Sequence, residues 1–236
     1  MTENTWYPIL GSMFSELLTP VGIHVDDDCR LTVLHEEYDS DFVLLRCDDP
    51  TWTREQNNRL PNFLRNTSNK HLVLQVSTED PILDELEDDV RLALGTAYFY
   101  TESYNTTMQD THAYLLCTQP PTASTLSQLQ YKPCAMSGVY KSDIPIARYA
   151  TIVSLNEISA TPENAFLKTF ASSQAQKTQA FAAVRRAHFS LFTHNLYWLM
   201  AGLWAHWLEE KHDMNTPPAL PEILQKGKEW QDSFLW

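Results

Sequence analysis

Glycine is scarce in this chain, with six residues in 236. That leaves little material for loops that cradle phosphate through close backbone approach, and no P-loop, GxGxxG turn or GxSxG elbow occurs. Basic runs are absent too: the densest is the pair Arg185-Arg186, against a formal net charge of −13. So acidic a surface repels polyphosphate at long range, which disfavours broad, non-specific nucleic-acid binding. It leaves two readings of the acidity, solubility or complementarity to a basic protein partner.

Four cysteines (Cys29, Cys47, Cys117 and Cys134) stand far apart with no CxxC pair, so neither a zinc knuckle nor a disulfide framework is expected. The eight histidines show no HExxH or His/Cys ligand spacing, which argues against a zinc enzyme. The opening "MTENTWYPILGSMF" lacks a basic region followed by an apolar core and does not read as a secretory signal. Together these features lead to the expectation of a cytoplasmic protein with reduced thiols.

What is present suffices for a large core. Hydrophobic residues make up 43% of the chain, and seven Trp, ten Tyr and ten Phe supply bulk for a core or an interface. One α/β domain with a helical extension is the expectation.

Apolar spacing predicts a helix over Thr5–Leu18, ended by Pro20 and Gly22. Strands are expected near Ile23–Val25, Leu31–His35 and Phe42–Cys47, then a short helix before Pro61 and a buried strand at Leu72–Val76. Leu83, Leu86, Val90, Leu94 and Ala97 recur at helical spacing, with acids in the first turns where the helix dipole favours them. A strand follows at His112–Cys117, then the loop "TQPPTASTLSQ" and strands near Ala135–Tyr140 and Ala147–Leu155. "TPENAFLKTFASS" reads as irregular, ahead of a helix from Gln174 to about Arg185.

The run Phe189–Leu208 holds no formal charge and has the length of a membrane span. His194, Asn195 and His206 interrupt it, and Phe189, Phe192, Leu196, Leu199, Leu203 and Trp207 fall on one helical face. A packed helix is the better reading. Trp198 and Trp204 fall off that face, so a second cover is expected over them, and aromatic surfaces of this kind suit interfaces. His35, Glu37, Asp39 and Asp41 would share a strand face; they read as a solvated strand edge and turn, with a metal set as the competing reading. Asp26–Asp28 reads as a turn.

The pieces "WYPILGSMFSELL", "SDFVLLR", "RLPNFLRNTSNKHLVLQVSTED", "DDVRLALGTAYFY" and "IVSLNEISATPENAFLKTFASS" resemble, in order and spacing, the PD-(D/E)XK restriction-endonuclease-like superfamily. The nearer likeness is to bacterial proteins grouped with recombination-promoting nucleases and putative transposases. The resemblance spans about Trp6 to Val184. It implies a mixed α/β sheet flanked by helices over residues 1–186, followed by a helical C-terminal extension over 187–236.

The resemblance also implies a chemistry. An Asp opening one strand and a Glu or Asp on the next hold Mg²⁺, a hard cation that takes oxygen ligands. The metal activates water and offsets charge on the scissile phosphate. A Lys two residues on, on the same strand face, stabilises that charge further. Matched residue by residue, Glu16 takes the place of a helix acid and Asp41 that of the strand Asp. Gln75 stands where the second carboxylate belongs, and Ser77 where Lys belongs.

The resulting expectation is a catalytically inactive nuclease-like protein, without a cofactor, acting as an accessory subunit that binds a protein and not a membrane. Candidate interface residues are Trp198, Trp204, Asp84, Glu85 and Asp88. The family's usual settings imply a place in prokaryotic defence, including CRISPR-associated loci, or in mobile elements. The alternative is an active Mg²⁺- or Mn²⁺-dependent DNase built on Glu16, Asp41 and a displaced acid such as Glu79 or Glu37.

Overall fold

A computed structural model describes residues 6–27, 30–33, 36–39, 42–47, 49, 51–78, 83–186, 193–209 and 219–234, with the backbone alone for 30–33, 36–39, 83–85 and 234. The chain begins with helix α1 (Trp6–Leu18), whose Ile9, Leu10, Met13, Phe14, Leu17 and Leu18 are buried on one side. Strand β1 (His24–Asp26), a separate hairpin of β2 (Arg30–Val33) and β3 (Glu36–Asp39), and β4 (Val43–Arg46) follow. Asp26, expected in a turn, closes β1 and pairs with Arg46 of β4 at 3.5 Å. Helix α2 (Arg54–Arg59) starts at a capping box in which Thr53 and Gln56 satisfy each other's backbone N–H groups.

Next come β5 (His71–Ser77), the long helix α3 (Leu83–Ser103) and β6 (Thr111–Cys117). Helix α4 (Ala123–Gln128), strands β7 (Tyr131–Pro133), β8 (Val139–Ser142) and β9 (Ala150–Ser154), and helices α5 (Pro162–Lys168) and α6 (Gln174–Arg186) complete the central part. Helix α7 (His194–Trp204) runs into a π-helical turn (Ala205–Glu209), and α8 (Leu220–Phe234) ends the described chain.

Seven strands form one mixed open sheet in the order β1-β4-β5-β6-β9-β8-β7. The central β5, β6 and β9 run parallel, and every pairing outside them is antiparallel. The central strands read as unbroken apolar runs because both faces are covered. Leu115 and Ile152 join Leu86 and Val90 of α3 and Leu126 of α4 in a small cluster. Leu116 and Val153, one residue further on, enter the larger core with residues of α1, α5, α6 and α7. The α/β class with helices on a mixed sheet is therefore as expected.

Three local expectations are corrected. "TQPPTASTLSQ" contains α4, whose Thr122 side chain accepts from the Thr125 N–H and starts a helix the composition hides. "TPENAFLK" is helical, with Pro162 in its first turn where a missing N–H costs nothing. The strand expected from Ala135 starts only at Val139, and β7, three residues with a proline, precedes it.

The C-terminal helices pack on the same core. In α7, Leu196, Leu199 and Leu203 are fully buried, as is Trp207 in the π-helical turn; Phe189 and Phe192 of the expected face lie outside the described residues. Trp207 sits 5.5 Å from the Phe170 ring and 6.3 Å from Trp6, with the Lys177 ammonium 3.6 Å from its centroid. Helices α7 and α8 approach so closely that a Cβ on Gly202 or Gly227 would overlap the carbonyl of Ile223 or Trp198. Among the described residues no helix is long and apolar enough to cross a membrane.

Candidate functional site

The carboxyl ends of the parallel strands are where ligands sit in open α/β sheets, and here β5, β6 and β9 end together. Their register sets Ser77 beside Cys117 and Cys117 beside Ser154, so three small side chains share one face of the sheet. That face is the one covered by α3. Gln75, one step back on the same face, is buried and donates from Nε2 to Thr96 Oγ1 of α3 at 3.2 Å. Its Oε1 finds no partner among the described residues, and neither do the buried hydroxyls of Ser154 and of Thr118, the residue after Cys117.

Backbone bonds tie this edge together. Thr118 N donates to Ser77 O at 3.0 Å, and Leu155 N to Cys117 O at 2.9 Å. The Asn156 side chain donates to Thr118 O and accepts from Ser173 N at 3.0 Å. Behind it, buried Lys168 donates to the carbonyls of Asn156 at 2.9 Å and Ile158 at 2.6 Å. Burial holds this lysine below its ordinary pKa, and nearby Glu157 opposes the shift. Two of its three donors are committed to backbone, so it positions the β9–α5 connection. The Cys117 thiol is pushed up, first by burial and then by Asp89 and Glu157, which keeps it a protonated, poor nucleophile.

The sequence-derived positions separate. Gln75 and Ser77 do share a buried face. Glu16 does not join them: it is Tyr7 of α1 that reaches β5, its hydroxyl accepting from Val76 N at 3.2 Å. Glu16 follows nine residues later, about 13 Å along the axis at the helical rise of ~1.5 Å per residue. Its carboxylate instead accepts from Thr193 Oγ1 and, at 3.0 Å, from Asn195 Nδ2, anchoring the start of α7. Asp41 and Glu79 lie outside the described residues, as do the side chains of Glu37, Asp84 and Glu85. Asp88 is exposed on α3 and pairs with Arg91 at 3.5 Å.

The second cover over Trp198 and Trp204 is α8 of the same chain. Trp198 Nε1 donates to Gln231 Oε1 at 3.0 Å with Lys228 Nζ 4.7 Å from its ring, and Trp204 meets Trp230 at 6.1 Å. Neither tryptophan is a free aromatic surface.

Two quoted motifs turn out to meet as a latch. Asn62 N of "RLPNF" donates to Asn164 Oδ1 of "ATPEN" at 2.8 Å, Asn164 Nδ2 donates to Ser159 Oγ at 3.2 Å, and Arg65 pairs with Glu163 at 3.2 Å. Sequence reasoning identified Gln75 and Ser77 but missed Thr96, Thr118, Ser154 and Lys168. Only strand register and helix packing bring those four to the same edge.

Chemically, the side chains of β5, β6 and β9 at this end are neutral hydrogen-bonding groups, with the charges of Lys168, Asp89 and Glu157 set around them. Among the described residues no cluster of three His, Cys, Asp or Glu stands ready to hold a metal. Comparison with protein-family models, with curated proteins and with solved structures finds no match to this chain.

Proposed function

We propose that this chain is a PD-(D/E)XK-like protein that has given up nuclease chemistry and acts as a protein-binding accessory subunit. One observation carries the reading. Gln75, at the strand position where the resemblance asks for a metal carboxylate, is a buried neutral amide whose donor is committed to Thr96. Two residues on, Ser77 stands in place of Lys. A neutral carboxamide gives a hard cation no charge, and a hydroxyl gives a phosphorane no counter-charge.

The element order supports the restriction-endonuclease-like assignment. After α1, the strands β1, β4 and β5 are antiparallel neighbours, and α3 then crosses to β6, parallel to β5. The net charge of −13 supports a protein partner with a basic surface over nucleic acid. A cytoplasmic setting in a prokaryotic defence system, such as a CRISPR-associated locus, or in a mobile element follows from the family's usual context.

The test is direct. Purified protein incubated with plasmid and single-stranded DNA in Mg²⁺ or Mn²⁺ leaves both intact. Cleavage that disappears in Asp41→Ala overturns the proposal and establishes the DNase instead.

A further inference from the structure

A cavity of about 550 Å³ opens between α4 and the β7–β8 hairpin, with the β9–α5 connection as its third wall. Its volume falls in the range of small-ligand and side-chain pockets. Leu126, Tyr131, Pro133 and Tyr140 supply apolar surface, and Lys132 and Glu157 are the two charged residues of the lining. Their situations differ. Lys132 pairs with Asp143 at 2.9 Å on the exposed rim. Glu157 has no ion-pair partner among the described residues, and it is held in place twice. Its Oε2 accepts from Tyr140 OH at 2.6 Å, and its backbone carbonyl accepts from Ser137 Oγ at 2.8 Å.

Burial first, then the bond to Glu157 and its charge, push the Tyr140 hydroxyl above its ordinary pKa. The phenol therefore remains a donor, and the carboxylate keeps one oriented oxygen free. A fixed carboxylate beside tyrosine rings and proline complements a flat cation on an apolar stem. Guanidinium fits this better than ammonium, because it stacks on aromatic faces while donating in its plane. The chain's charge of −13 draws such a group in.

We infer that this cavity receives an arginine side chain from a basic segment of a partner polypeptide, with Glu157 Oε1 as its acceptor. The inference rests on the accessory-protein reading for the origin of that arginine. DNA cleavage would remove that reading and leave the cavity's chemistry to be judged by its own experiment.

The experiment titrates the ¹⁵N-labelled full chain with acetyl-Ala-Arg-Ala-amide, its citrulline counterpart and its lysine counterpart, following the amides of Leu126, Lys132 and Glu157. The arginine peptide gives saturable shifts at these amides, the citrulline peptide gives none, and the lysine peptide binds more weakly. Glu157→Gln weakens arginine binding by about tenfold, whereas Tyr140→Phe, which frees the second carboxylate oxygen, retains it. Unchanged amide spectra away from the cavity show that both variants fold. Absence of saturable shifts, an equal response to citrulline, or undiminished binding by Glu157→Gln overturns the site; a lysine peptide binding as tightly overturns the guanidinium assignment.

Discussion

The two ends of the parallel strands treat their polar groups differently. At the amino end, His71 Nδ1 of β5 lies 2.9 Å from Tyr100 OH, His112 Nε2 of β6 lies 2.8 Å from Thr151 Oγ1, and Asn69 Nδ2 donates to Gln109 O at 2.7 Å. Thr111 Oγ1 and, on β4 beside His71, Arg46 Nε lack a partner there among the described residues. At the carboxyl end, Gln75, Thr118 and Ser154 each keep a buried oxygen without one. Native proteins pair most buried polar groups, so three unpaired oxygens at the end of adjacent strands are informative. The amino end is built as structure. On the function proposed above, the carboxyl end is the former site, with Gln75 and Ser77 where the resemblance expects a carboxylate and a lysine.

Placing charge on the carboxyl end tests this contrast most severely. Gln75→Glu puts a carboxyl into a buried, neutral setting and is expected to cost about 3 kcal/mol at pH 8. Burial raises the folded pKa above the unfolded value of about 4.3, so both states are neutral in acid and the penalty vanishes there. It grows as pH rises through that value toward the folded pKa. Urea unfolding at pH 4 and pH 8 measures the difference. A carboxylate tolerated without loss would mean that this end is hydrated or holds a cation, and the contrast would fail.

The amino end has its own titration. Burial, reinforced by Lys141, holds the His112 pKa down to about 4, against 6.5 ordinarily. Between these values the unfolded chain binds a proton that the folded chain does not, so stability falls as pH drops from 6.5 to 4 and levels off below. The loss amounts to about 3 kcal/mol at most. His112→Gln keeps a polar partner for Thr151 and removes the titration, so denaturation midpoints of the two proteins should diverge through this window.

A smaller effect is expected at the latch. Asn164→Ala strands the Asn62 N–H and the Ser159 hydroxyl and should cost about 2 kcal/mol. The smallest is Gln75→Leu. It removes the bond to Thr96 together with the unpaired Oε1, two effects that offset to within about 1 kcal/mol, as thermal unfolding would show.

Much of the frame was legible because it is periodic. Leu72, Val73 and Leu74 of the strand and Leu86, Val90 and Ala97 of the helix are buried as their spacing says they should be, while Val76 and Leu94 are half-buried. Helix α5 was not legible, because its buried faces include Asn164 and Lys168, polar residues whose partners are distant loops. Strand β7 is three residues long and contains Pro133, too little for a period to show. In the site, Gln75 and Ser77 were readable from one strand's alternation. Thr118 and Ser154 were not, since only the register of β5, β6 and β9 sets Cys117 between Ser77 and Ser154 and brings Thr118 N to Ser77 O. Glu16 was assigned to the site from the resemblance alone, which does not fix its height along α1 relative to the strand ends.

The central claim is that this strand end no longer cuts nucleic acid. The most direct measurement compares the wild-type chain and Asp41→Ala on plasmid and single-stranded DNA with Mg²⁺ and with Mn²⁺. The account predicts the same intact substrate from both proteins; metal-dependent cleavage by the wild type that Asp41→Ala abolishes would contradict it.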